Sequence, residues 1–136
     1  MTSKEYLGQA YRIDQRINSK MEQIASLNLL ARKATTVFSD LPGNSTRNIH
    51  RMEDVIIKIV DMESEINADI DRLVDLKRDI VRAIKRVKKP EDQILLELRY
   101  LCFKTWEEIA VKMNCSIDNV FKMRNKALKI FDIPES

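Results

Sequence analysis

The chain has 136 residues, a third of them charged, a formal net charge of +3, and only 2 Gly and 3 Pro. That length holds one or two small domains, and with so few turn residues and no sustained alternation of apolar and polar positions the expected fold is all-α. No apolar run reaches the ~20 residues that span a bilayer, and the first residues lack the apolar core of a signal peptide, so a cytoplasmic protein with no membrane partner is expected.

Up to Phe38, apolar residues recur every seven positions at Ala10, Ile17, Ile24, Ala31 and Phe38. Tyr6, Ile13, Leu27 and Ala34 fill the second core position, with Lys20 as the exception. The strongest turn signal follows, Leu41-Pro42-Gly43-Asn44-Ser45-Thr46. A second heptad runs through Met52, Ile59, Ile66, Leu73, Ile80 and Val87, with Val55, Met62, Leu76 and Ala83 beside it and Asp69 breaking it. Asp69 in such a seam sets register, bends the coil, or pairs with a basic residue on a neighbouring helix. Ile56, Ile70 and Ile84 widen the stripe, which suggests contact with more than one helix. The pattern predicts a long antiparallel helical hairpin over residues 1–89, its second helix running from about Arg47 to Lys89 and on the order of 60 Å long. A lone hairpin buries too little apolar surface, so an oligomerisation domain is expected, most simply a homodimer.

Charge divides unevenly. Residues 1–76 carry 10 Lys and Arg against 12 Asp and Glu, whereas residues 77–136 carry 14 against 9. Lys77, Arg78, Arg82, Lys85, Arg86, Lys88 and Lys89 cluster at the end of the second helix. They fit either a solvated helix end, where cations suit the dipole, or a collar that grips phosphate.

Pro90, followed by Glu91 and Asp92, opens a new helix to about Leu101 or Phe103, with Ile94, Leu95, Leu98 and Leu101 facing inward. Residues 104–131 then read as two short amphipathic helices joined by a polar turn, a helix-turn-helix, which makes 90–136 a second domain. Trp106, Ile109, Ala110 and Met113 form one apolar face; Asn114 ends that helix in the left-handed region and Ser116 caps the next. The last helix sets Ile117, Val120, Met123 (or Arg124), Ala127, Leu128 and Phe131 inward and leaves its cations largely on other faces. Trp106 and Tyr100 are expected in the core, and Phe121 in the core or against a partner. Cys102 and Cys115, far in sequence from the single His50, read as buried free thiols.

Thr105, Glu107, Glu108, Ile109, Ala110, Ser116, Val120, Lys126, Ala127 and Leu128 give this segment a resemblance to region four, the promoter-reading C-terminal domain of bacterial sigma factors. Arg99-Tyr100 followed by Trp106-Glu107-Glu108-Ile109-Ala110 is also similar to the signature of small phage and prophage proteins of Gram-positive bacteria, related to phage late-gene activators. The likeness implies DNA binding. It departs from sigma domains where Ile117, Asp118, Asn119, Phe121 and Lys122 replace the usual arginines and glutamine, so a standard promoter element is not the implied target.

The expected function is a sequence-specific transcription regulator of phage or prophage type, binding double-stranded DNA through Ser116, Asn119, Lys122, Arg124, Asn125, Lys126 and Lys129. Arg82, Lys85, Arg86, Lys88 and Lys89 add backbone contacts. Asn119 suits adenine and Lys122 guanine in the major groove, while Arg124, Lys126 and Lys129 suit phosphate. The alternative is a protein adaptor or assembly component, docking on RNA polymerase or recruiting DNA for phage packaging. Neither an enzyme nor a cofactor or metal is expected: the histidine is isolated, no Gly-rich phosphate loop exists, and the carboxylates follow helical surface patterns.

Overall fold

The computed structural model describes residues 1–38 and 45–134, with the backbone alone for 34–38 and 45–48. Among the described residues every regular element is helical: α1 Ser3–Leu7, α2 Gln9–Phe38, α3 Ser45–Lys85, α4 Pro90–Tyr100, α5 Trp106–Lys112 and α6 Ile117–Ile130. The expected turn at 41–46 lies outside the described residues except for Ser45 and Thr46, which open α3. The seam positions Ala34 and Phe38 lie outside the described side chains.

The chain packs as two compact units, Gln15–Asp71 and the combination of Met1–Asp14 with Arg72–Ser136. In the first, the heptad pattern appears as burial: Ile17, Met62 and Ile66 are buried, and Ile24, Leu27, Val55 and Ile59 are half-buried. The two polar exceptions meet each other. Lys20 Nζ lies 2.8 Å from Asp69 Oδ2 and 3.5 Å from Glu65 Oε2, and Asp69 is buried. Ile56 and Ile70, expected to touch a further helix, are exposed.

The hydrogen bond to Asp69 holds the Lys20 ammonium above its ordinary range, against the opposing effect of burial. A raised folded value means the contribution of the pair is complete below the unfolded lysine value of about 10.4 and is lost as pH rises through the folded one. Titration of Lys20 therefore leaves neutral-pH stability unchanged. Lys20→Met, which leaves a buried carboxylate without its ammonium, is expected to lower the thermal midpoint. The double replacement Lys20→Met/Asp69→Leu is expected to recover it, as two apolar side chains fill the seam. Melting followed by circular dichroism checks both; a single variant that melts like the parent would mean the pair contributes nothing.

The second unit has one continuous core in which Leu7, Ile80, Ile84, Leu95, Leu96, Ile109 and Val120 are fully buried. In this unit the three short helices α4–α6 close one core with α1, the start of α2 and the end of α3. Thr2 Oγ1 caps α1 by accepting from the Glu5 N–H at 3.2 Å. Tyr6 then packs on Phe131 with ring centroids 6.0 Å apart, and Ser3 Oγ donates to the Phe131 carbonyl at 3.5 Å. Burial pushes the Tyr6 hydroxyl up, with Asp79 adding to the shift and Arg86 opposing it.

α3 ends at Lys85, four residues before the expected Lys89. The N–H groups of Arg86 and Val87 turn back to Ala83 and Ile84 at 3.2 and 2.9 Å, and Gln93 Nε2 donates to the Val87 carbonyl. Lys89 must be extended before Pro90, and is, at φ −87 and ψ 123. In α4 the inward face is Asp92, Leu95, Leu96 and Tyr100. Ile94, expected inside, is 47% exposed, and Leu98 and Leu101 are half-buried.

Candidate nucleic-acid interface

α5 begins with a reciprocal cap. Thr105 Oγ1 accepts from the Glu108 N–H at 3.2 Å while its hydroxyl donates to Glu108 Oε1 at 3.2 Å. The Thr-x-x-Glu spacing is that of a capping box, with Glu108 accepting here from the threonine hydroxyl. The helix stops at Met113, and Asn114 takes φ 55, where the asparagine side chain tolerates the left-handed region. The Cys115 N–H returns to the Ala110 carbonyl at 3.0 Å, and Ser116 Oγ accepts from the Asn119 N–H at 3.2 Å to start α6. Four residues, 113–116, thus join α5 to α6. Ser116→Ala removes the cap and is expected to cost about 1 kcal/mol in urea unfolding.

α6 buries Val120 and Ala127 against α4 and α5, with Phe131 just beyond its end. At 3.6 residues per turn the opposite face carries Asn119, Lys122, Lys126 and Lys129 in one stripe, with Asn125 beside it. All five are exposed, and none of the three lysines is ion-paired with another described residue. Ser116, also exposed, spends its oxygen on the cap and keeps its hydroxyl proton free to donate.

Arg124 stands apart from that stripe. It is half-buried on the flank of α6, its guanidinium 5.4 Å from the Trp106 ring centre and 4.8 Å from that of Phe121, and it donates to Asn125 Oδ1 at 3.1 and 3.0 Å. The long aliphatic stem and planar head of arginine suit an aromatic wall better than a lysine would. Phe121 is half-buried with its ring 6.2 Å from Trp106, and Trp106 is half-buried too, whereas Tyr100 is buried.

Arg82, Lys85, Arg86, Lys88 and Lys89 are exposed and in no ion pair with another described residue. They divide by position: Arg82 and Arg86 border a groove of about 640 Å³ with Tyr6 and Ile133, while Lys88 and Lys89 lie in the turn into α4. A smaller groove of about 380 Å³ joins Glu91 and Ile94 of α4 to Lys112 and Asn119. Lys77 lies 4.7 Å over the Phe103 ring, and Arg78 reaches Asp75 at 3.9 Å. Both thiols are free, as expected, but neither is buried: Cys102 is exposed in the turn after α4, and Cys115 is half-buried.

One concentration of cations went unnoticed in the sequence. Arg12, Arg99 and Arg124 line a cleft of about 660 Å³ together with Tyr11, Tyr100 and Trp106. Burial raises the Tyr100 hydroxyl, while Arg99 and Arg124 pull it down. Arg99 is part of the Arg-Tyr pair legible in the sequence, but Arg12 is 87 residues earlier and carries no local signal.

Residues 42–132 match a family described as a protein of unknown function, DUF1492. The chain belongs to the DUF1492 family. The match takes in all of α3–α6, so the α6 stripe and the α3–α4 cations of this DUF1492 chain lie inside it, whereas Tyr11 and Arg12 lie outside. No curated protein and no solved structure matches the chain. Among the described residues of the DUF1492 chain, no helix is long and apolar enough to cross a membrane, and no group of three His, Cys, Asp or Glu side chains is placed to hold a metal.

Proposed function

We propose that this protein is a sequence-specific DNA-binding regulator of phage or prophage type, with α5 and α6 forming a sigma-like helix-turn-helix. The carrying observation is the exposed stripe Asn119, Lys122, Lys126 and Lys129 on a helix whose opposite side is locked into the core. In this reading α6 enters the major groove, Asn119 and Lys122 meet base edges, and Lys126 and Lys129 meet phosphate. Arg124 supports the helix through Trp106. Residues 15–71 form an antiparallel hairpin that pairs with a second copy, which supplies a second reading head and the specificity that one head lacks. The exposed Ile49, Ile56, Ile57 and Val60 on α3 favour that pairing.

In vitro selection from random duplexes is expected to return an enriched two-part sequence. Recovery of unselected DNA would overturn sequence-specific regulation. The collar is tested separately: reversing Arg82, Lys85 and Arg86 together is expected to flatten the salt dependence of duplex binding by about 0.9 per lost phosphate contact.

The same apolar positions on α3 favour a second reading, an adaptor that docks on RNA polymerase or a packaging motor. An assembly larger than a tetramer by light scattering, or co-purification with polymerase, would favour it.

A further inference from the structure

The cleft between α1, α2, α4 and α6 within residues 1–14 and 72–134 is distinct from the α6 stripe. Lys4, Arg12, Arg99 and Arg124 line it against a single carboxylate, Glu5. None of the three arginines is ion-paired with a described carboxylate; Arg99 Nη1 instead donates to the Lys104 carbonyl at 3.0 Å. Two of these guanidiniums converge on one ring, Arg99 at 4.7 Å and Arg124 at 5.4 Å from the Trp106 centre. The negative face of the indole offsets part of the cost of gathering these cations, and an anion in the cleft would offset more of it. Their forked donors match the oxygens of a phosphate in a way that an ammonium does not.

Four aromatic side chains, Tyr11, Tyr100, Phe103 and Trp106, share the wall with them. Tyr11 is half exposed, its ring 5.6 Å from Phe103 in edge-to-face contact. Phe103 itself is held at φ 58, a backbone region costly for a bulky side chain, and such strain gathers at binding sites. A volume of about 660 Å³ lies within the range of small-molecule pockets.

We propose that this cleft binds a nucleoside phosphate, with the phosphate held by Arg12, Arg99 and Arg124 and the base against Tyr11. The nucleotide is either free or part of a single nucleic-acid strand, and the chemistry of recognition is the same for both. The site does not depend on duplex binding by α6, so it is measured without duplex DNA.

Trp106 is the only tryptophan, so its emission reports on the cleft directly. The full chain is titrated at constant ionic strength with adenosine 5′-monophosphate, inorganic phosphate, and a short single-stranded oligonucleotide, with calorimetry in parallel. Saturable change with the monophosphate, weaker with phosphate, identifies a free nucleotide; change with the oligonucleotide alone identifies a strand. In either case Arg12→Gln, a substitution at an exposed position, is expected to weaken the midpoint about tenfold, as loss of one charge-assisted contact would. No saturable response to any of the three probes overturns the proposal, as do equal midpoints for the parent, Arg12→Gln and Arg99→Gln.

Discussion

Reversing Lys122, Lys126 and Lys129 to Glu together is expected to reduce duplex affinity by roughly two to three orders of magnitude near 0.1 M salt. Each neutralised phosphate contributes about 0.9 to the slope of log affinity against log salt, so loss of three contacts lowers the slope by about 2.7. The added repulsion of three carboxylates only deepens the loss. The three side chains point away from Val120 and Ala127, so the fold is expected to survive, which circular dichroism checks. Arg124→Gln should behave differently. Its guanidinium lies against Trp106 and Phe121, so its loss lowers stability more than it lowers the salt slope. A triple variant that is folded and keeps the parent slope would remove α6 as the DNA-contacting surface.

The second large effect concerns the far end of the sequence. Leu7→Ala is expected to cost about 2 to 5 kcal/mol of stability, the range for a fully buried leucine whose cavity cannot close. Leu7 has no exposed surface and shares one core with Ile80, Ile84, Leu95, Leu96 and Val120. The expectation extends to fragments. Residues 90–136 alone would leave the apolar faces of α4–α6 without Leu7, Ala10, Ile80 and Ile84, and are expected to give no cooperative unfolding transition. A chain with Leu7→Ala that unfolds in urea at the parent midpoint, or a folded 90–136 fragment, would show that these helices close their core unaided.

Particular residues explain what could be read from the sequence. Local chemistry was legible where a residue type admits few alternatives: Asn114 in the left-handed region, Ser116 as a cap, Pro90 opening a helix. The heptads were legible as faces, and their two polar exceptions could each be named. That Lys20 meets Asp69 follows from the pairing of the two helices, which periodicity alone does not give. In α4, apolar residues at 94, 95, 96 and 98 occupy most of the circumference, so spacing could not separate exposed Ile94 from buried Leu96. Helical spacing left Met123 or Arg124 for one inward position, and the ring that Arg124 lies against, Trp106, is eighteen residues earlier. The arginine cleft needed Arg12 and Arg99 to line one cavity, an arrangement with no trace in local pattern.

The Ser3 hydroxyl on the Phe131 carbonyl joins residues 128 apart. Closing a loop of that span costs entropy that grows slowly with its length but must be met before the contact forms, and a core rich in such distant contacts is slower to assemble from an unstructured chain. Residues 15–71 change that cost. If their two helices zip locally, the length of loose chain between Leu7 and Ile80 collapses to a small fraction, and closure becomes a local event. The middle of the chain would then act as a template for folding. Disruption of the seam at Lys20 and Asp69 would be felt first as slow refolding of the unit that contains α6.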